Sequence, residues 1–257
     1  IQLLPDNEIL CRKGGIDAHL AGLRAVKDEE EIAALRCAGS LSDELVAAAG
    51  QLLAGGREVS ETELALFLEN EARSRGAEGM GFETLAAGPS RSFALHSFPT
   101  HTNAPFGAFG FSILDFCVRW EGYTSDVTLT VIRGPLSSLQ ERMREAAAEA
   151  YALALSLVKP GADPVRIAAR VDRLMAERGF PMPHSLGHGL GLEAHEEPYL
   201  RQPESPDASK PLAPGMVVTL EPGAYHPEAG GVRLENVVLV TDGGAEELTH
   251  ARILELR

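Results

Sequence analysis

A chain of 257 residues, 44% hydrophobic and 23% charged, has the size and composition of one large globular domain or two small ones. Its formal net charge of −14 argues against nucleic acid or an anionic membrane surface as the main partner, and no run of roughly 18 apolar residues marks a membrane span. Cys11, Cys37 and Cys117, an odd set without CxxC spacing, argue against a disulfide framework or zinc ribbon and make a reducing cytoplasm the expected compartment.

Residues 1–27 are mixed in texture, with a Gly14-Gly15 pair, and read as a linker or remnant ahead of the main domain, 28–257. The chain starts at Ile1 without a signal-like apolar core and is expected to be a piece of something longer. KDEEEIAALRCAGSLSDELVAAAGQLLAGG follows as a helix. Acids crowd its first turn, Ile32, Leu35, Leu41 and Leu45 recur near helical spacing, and Gly55-Gly56 is the expected stop. Ser60 and Glu63 have the spacing of a capping box and open a second helix, SETELALFLENEARSRG.

From Phe82 to Val131 the texture is strand-like, with β-branched and aromatic runs between glycines and prolines. Helices return at SLQERMREAAAEAYALALSLV and DPVRIAARVDRLMAERG, and strand-like VVTLEPGAY and VRLENVVLV close the chain. The helix endings LLAGG and SRG resemble LVKPG and ERG about a hundred residues later. A two-fold α+β duplication explains this; chance similarity of helix ends is the alternative.

The strongest local signal is FSILDFCVRWEGYTSDVTLTV, two strands around a turn at Trp120-Glu121-Gly122. Asp115 and Asp126 lie equally far from a turn centred between Trp120 and Glu121, which places them opposite each other among apolar neighbours. Two like charges there require a proton on one or a cation between them. Glu221 and Glu235 repeat the device about HPEAGG. A salt bridge is the ordinary reading of any single such acid, but two opposed pairs favour two divalent ions sharing oxygens. His188, between the hairpins and flanked by glycines in GHGLGLEAHEEP, joins the set. Imidazole suits Mn, Fe, Co or Zn better than Ca or Mg.

AGPSRSFALH, LDFCVRWEGYTSDVTLT, HSLGHGLGLEAHEEP, LEPGAY and GVRLEN, preceded by LRAVKDEEEI, together resemble the pita-bread metallopeptidases: prolidase, Xaa-Pro aminopeptidase and, more distantly, methionine aminopeptidase. The resemblance implies an α+β, pseudo-two-fold fold with a curved antiparallel sheet and helices outside. It implies two divalent ions, Mn or Co foremost and Zn or Fe as alternatives, on Asp115, Asp126, His188, Glu221 and Glu235. Asp126 and Glu235 would bridge the ions, and Glu221 would take a proton from the bridging water that attacks the substrate. His96, His184 and His195 would hold substrate and steady the tetrahedral intermediate, and Arg233 would bind substrate too. The implied reaction is hydrolysis of the Xaa-Pro bond in dipeptides or at peptide N-termini, by a homodimer. His184, four residues before His188, favours the proline-handling branch. The alternatives are a methionine aminopeptidase-like or other small-amide hydrolase, or a silent peptide-binding relative.

Three positions depart from the family pattern. Cys117 stands for a glycine, Asn236 for an aspartate, and Leu129 for an arginine expected near the acids to offset their charge. Arg233 and Tyr123 fit the pattern.

Overall fold

In the first half of the chain, the computed structural model, which describes residues 15–201 and 210–256, contains α1 (Gly15–Ala25), α2 (Glu29–Ala54), β1 (Val59–Ser60), α3 (Glu61–Ser74), β2 (Gly79–Met80), β3 (Leu85–Ala87), β4 (Pro105–Phe106), β5 (Gly110–Phe116), β6 (Val118–Trp120), β7 (Tyr123–Thr124) and β8 (Val127–Arg133). The second half has α4 (Ser138–Leu157), α5 (Pro164–Glu177), β9 (Gly187–Gly189), β10 (Glu196–Leu200), β11 (Val217–Leu220), β12 (Gly223–His226), β13 (Gly230–Arg233), β14 (Asn236–Thr241), β15 (Gly244–Glu247) and β16 (Leu254–Leu256). Cys11 lies outside the described residues. No helix among the described residues is long and apolar enough to cross a membrane.

Local chemistry fixes the helix ends. Asp28 accepts from the backbone N–H of Glu30 and Glu31, and Glu31 answers by accepting from Asp28 N at 2.8 Å, so α2 opens on a reciprocal cap. It stops at Gly55, as the sequence predicts. At α3 only half of the expected box forms. Ser60 accepts from Glu63 N at 3.1 Å, but the Glu63 carboxylate is taken by Arg57 at 2.6 Å.

The duplication is present in the topology. Leaving α1 aside, each half runs two helices and then contributes three antiparallel strands, ordered β3-β5-β8 in the first and β9-β11-β14 in the second, with the middle strand second in sequence. Each helix pair covers its own strands. Leu41, Leu45, Leu64 and Leu68 of α2 and α3 pack on Leu114, Val127, Leu129 and Val131, while Met143, Ala147, Ile167 and Val171 of α4 and α5 pack on Val218, Leu220, Val232 and Val238. Strand alternation sends the odd residues of β8 into the first core and turns Thr128 and Thr130 toward the second half. There Thr128 bridges to Glu235, and Thr130 Oγ1 bonds the backbone of Arg233, joining the halves.

The first hairpin departs from the expected register by one step. Its turn residues are Glu121 and Gly122, with φ of 49° and 82°, the left-handed pair that a two-residue hairpin turn requires. The centre therefore lies one residue later than the sequence suggests, and Asp115 pairs with Thr128 rather than Asp126. Because Thr128 and Asp126 are two apart, both aspartates still share a face, as diagonal neighbours. In the second hairpin the pairs Leu220–Asn236 and Gly223–Arg233 have the predicted register, with Glu221 and Glu235 between them.

The stretch read as a linker carries α1, which docks on β10. Arg24 Nη2 lies 2.6 Å and Lys27 Nζ 3.3 Å from the buried Glu196 carboxylate at the start of β10, beside His195.

Candidate metal centre

Four carboxylates converge where the two three-stranded units meet. Asp115 is on β5, Asp126 just before β8, Glu221 just after β11 and Glu235 just before β14, so the pseudo-symmetry brings equivalent strand ends together. Ligand atoms of Asp115, Asp126 and Glu235 lie within 4.8 Å of one another, as do those of His188, Glu221 and Glu235, and those of Asp126, His188 and His195. Asp126, His188 and Glu235 each belong to two of these groups, which therefore describe adjoining positions.

Burial pushes the carboxyls up: Asp126 and Glu221 well above the usual range, Glu235 to about 7, and Asp115 upward despite the Arg233 guanidinium beside it. Repulsion adds to burial, chiefly from Glu235 on Asp126 and Glu221, and from Asp115 on Glu235. A buried cluster of this kind is held by protons or by cations. Three features fit divalent cations. Asp115 Oδ1 is buried without a hydrogen-bond partner among the described residues. His188 Nδ1 lies 3.0 Å from the Gly189 carbonyl, which can only accept, so Nδ1 carries the proton and Nε2 is left as a donor atom. That Nε2 lies 3.5 Å from Glu221 and 3.7 Å from Asp126. Burial, then His195, lowers His188 to about 4, which keeps the ring neutral as a ligand requires.

Arg233 supplies the positive charge. It is buried, and its Nε donates to Thr128 Oγ1 at 2.9 Å, Nη1 to Tyr225 Oη at 3.0 Å and Nη2 to Asp115 Oδ2 at 2.6 Å. Thr128 in turn donates to Glu235 at 2.6 Å. Arg233 borders the cavity, but these bonds make it a partner of the acids before it is a substrate contact. The expectation for position 129 is corrected. Leu129 points into the core under α2 and α3, away from the acids, because alternation along β8 gives Thr128 and Thr130 the site-facing side. A cation at 129 would not have faced the carboxylates.

A cavity of about 470 Å³ opens over the acids, with His96, His184, His195, Phe98 and Tyr199 on its walls. The structure thus gathers all three sequence-predicted histidines. His96 and His195 are exposed to the cavity, and the His195 ring lies 4.2 Å from that of His188. His184 differs: Nδ1 lies 2.8 Å from Ser185 O, and Nε2 lies 3.2 Å from Tyr225 Oη, so both nitrogens have protein partners. Burial, then Arg233, lowers His184 to about 4, and burial raises Tyr225 to about 12.

The glycines around His188 are explained by the packing of β9. A Cβ on Gly187 would strike the Thr219 carbonyl, and one on Gly189 the Glu197 carbonyl, so they let β9 lie tightly between its neighbours. Tyr225 and Thr128 are the residues that sequence reasoning missed. In the register of β12 and β13, Tyr225 opposes Gly231, two residues from Arg233 on the same face, a signal present in LEPGAY and GVRLEN.

The model of metallopeptidase family M24 matches residues 33–242. The Xaa-Pro dipeptidase of Pyrococcus furiosus is 34% identical over 236 residues, covering 91% of this chain and 66% of that protein. The uncharacterized peptidase YqhT of Bacillus subtilis is 36% identical over 231 residues, 89% of this chain and 63% of its own length. The chain thus spans just under two thirds of the length of these curated relatives. Among solved structures, the prolidase from Pyrococcus furiosus aligns with a TM-score of 0.84 at 33% identity, over 92% of this chain and 68% of that one. An X-Pro aminopeptidase from Thermotoga maritima aligns with a TM-score of 0.84 at 30% identity, over 94% and 67%. The α+β pita-bread fold expected from the sequence is the fold observed.

Proposed function

The chain belongs to metallopeptidase family M24, and we propose that it is a dinuclear-metal-dependent peptidase that hydrolyses the Xaa-Pro bond of dipeptides or peptide N-termini. The observation that carries the reading is the convergence of Asp115, Asp126, His188, Glu221 and Glu235 beneath one cavity. The relatives named Xaa-Pro dipeptidase and X-Pro aminopeptidase support the substrate class.

In this reading Asp115, Asp126 and Glu235 would hold one divalent ion, and His188, Glu221 and Glu235 with Asp126 would hold the other. Mn or Co is favoured, with Zn or Fe as alternatives. When bound, two such ions lower the pKa of a water and polarise the scissile carbonyl. Glu221 accepts the proton of the attacking water, its carboxylate lying on the cavity beside the other acids. His195 and His96, facing the cavity, orient the peptide and donate hydrogen bonds to the oxygen that gains charge. His184 joins them only by releasing Tyr225, so its share is smaller. Arg233 acts mainly by holding Asp115 in place and balancing the cluster. We further infer a cytoplasmic homodimer, the setting suggested by the odd cysteine count and the assembly implied by the family resemblance; light scattering of the purified chain tests the dimer.

Elemental analysis of purified protein, followed by assay of the same preparation with Mn or Co against Xaa-Pro dipeptides, longer Xaa-Pro peptides and Met-Ala peptides, tests the reading. Two equivalents of metal and turnover confined to Xaa-Pro substrates are expected. Cleavage of Met-Ala alone would move the chain to the methionine aminopeptidase reading. Metal-free, inert protein would make it a silent peptide binder.

A further inference from the structure

We propose that Glu61, a buried carboxylate outside the metal centre, is a positioning residue that closes the loop carrying His96 and so sets where that histidine stands over the substrate. The inference rests on the peptidase reading for the role of His96.

Glu61 is the first residue of α3 and is fully buried. An acid so placed ordinarily faces water and the helix dipole. Here, among the described residues, every hydrogen bond to its carboxylate comes from one segment. Gly88 N donates to Oε1 at 2.7 Å, Thr102 N and Thr102 Oγ1 donate to Oε2 at 2.8 and 2.6 Å, and Arg91 Nη1 also reaches Oε2. Gly88 and Thr102 are the two feet of the loop. One side chain therefore ties both feet together, and charge-assisted bonds of this kind are about twice as strong as neutral ones. A Cβ on Gly88 would strike the Pro105 carbonyl and crowd Glu61 Oε1, so the glycine permits the approach.

The tie reaches His96 through Arg91. Arg91 Nη2 donates to the Pro99 carbonyl, and Ser97 Oγ donates to the Arg91 carbonyl at 2.8 Å. His96 is thus bracketed at both sides by contacts that run back through Arg91 to Glu61. His96 itself forms no hydrogen bond among the described residues, yet it lies on the cavity wall, close enough to His184 and His195 to influence both. Its position is that of its loop.

The test is a coupling measurement on the metal-loaded chain. Glu61→Gln keeps the shape of the side chain and removes its charge. We expect it to lower kcat/KM about 10- to 100-fold when His96 is present, and by less than about threefold in the His96→Ala background, with metal content unchanged. Thr102→Val, which removes a single donor, should show the same coupling with a smaller loss and covers the case in which Glu61→Gln does not fold. Equal fold-losses in both backgrounds would mean that Glu61 merely stabilises the domain, and would overturn the proposal. A readout independent of turnover is the ring resonance of His96, assigned by its disappearance in His96→Ala. Its displacement or broadening in Glu61→Gln supports the proposal, and an unmoved signal overturns it. If the wild type cleaves no Xaa-Pro peptide, the substrate reading fails alone, and the resonance still decides whether Glu61 positions His96.

Discussion

The two acid-bearing hairpins are built on the same plan and are not equivalent. In the second, Glu221 and Glu235 stand across from each other, and the same hairpin carries Arg233 and Tyr225. In the first, Asp115 faces Thr128, Asp126 is displaced by two residues, and the basic group on Asp115 is Arg233, borrowed from the other half. The register step frees a threonine to stand between the acids, where its hydroxyl donates to Glu235 and accepts from Arg233. Duplication supplied four acids at matching strand ends; the offset in one copy allowed one arginine to serve both.

The most severe test of this asymmetry is Glu221→Gln. If the second hairpin supplies the general base, kcat should fall by about 10³-fold or more while the circular dichroism spectrum and melting profile stay close to wild type. Activity near wild type would transfer that role elsewhere. Next is Arg233→Met, which leaves Asp115 buried beside other acids without its counter-charge. The metal-free protein should lose about 3–5 kcal/mol in urea unfolding, although the mutated residue lies in the opposite half from the acid it serves. A loss below 1 kcal/mol would show that the halves balance their charges independently.

His195→Ala should lower kcat/KM about 10- to 100-fold and leave the metal content intact. Loss of one equivalent of metal would instead make His195 a ligand through its grouping with Asp126 and His188. The acids can also be titrated together. Burial first and repulsion second raise the folded carboxyl of Glu235 from 4.5 to about 7, and Asp126 and Glu221 shift the same way. Below about pH 6.5 the lowered His184 and His188 oppose this shift, because the unfolded chain protonates them and the folded one does not. From about pH 7 upward they are largely neutral in both states, the folded metal-free chain still holds carboxyl protons, and its stability falls as pH rises further. Calorimetry in the presence of a chelator should show a lower Tm at about pH 9 than at about pH 7, and saturating manganese should flatten the difference; a Tm rising across that interval would contradict the cluster. On metal affinity the smallest effect is expected of Leu129→Arg, although a guanidinium placed among the core leucines should itself lower stability by about 3 kcal/mol or more. Metal affinity should stay within about twofold of wild type, because that side chain lies on the far face of β8. Tighter metal binding would mean that the strand presents the other face.

The helices, their caps and the order of elements follow from short-range pattern, so they were legible in residues such as Asp28, Ser60 and Gly55. The second hairpin was legible because its turn centre follows from HPEAGG. The first failed by one step, because a two-residue left-handed turn is set by φ at Glu121 and Gly122, and composition only constrains it loosely. Position 129 failed for a different reason: alternation along β8 puts Thr128 and Thr130 on the face of Asp126 and Leu129 on the other in either register, and the expectation came from the family resemblance rather than from that period. Glu61 left no trace in motif reading, since its role arises from a contact between α3 and a loop some thirty residues later. α1 was missed because residues 1–27 show little apolar periodicity, and what docks it is charge pairing.

That pairing bears on where this domain can be cut. The family match begins at residue 33, yet Glu196, which immediately follows His195, has its two cations at positions 24 and 27. Trimming the chain to residues 33–242 would strand an interior anion next to a cavity-lining imidazole. An expression boundary drawn at the edge of the family match would therefore remove part of the scaffold that borders the cavity.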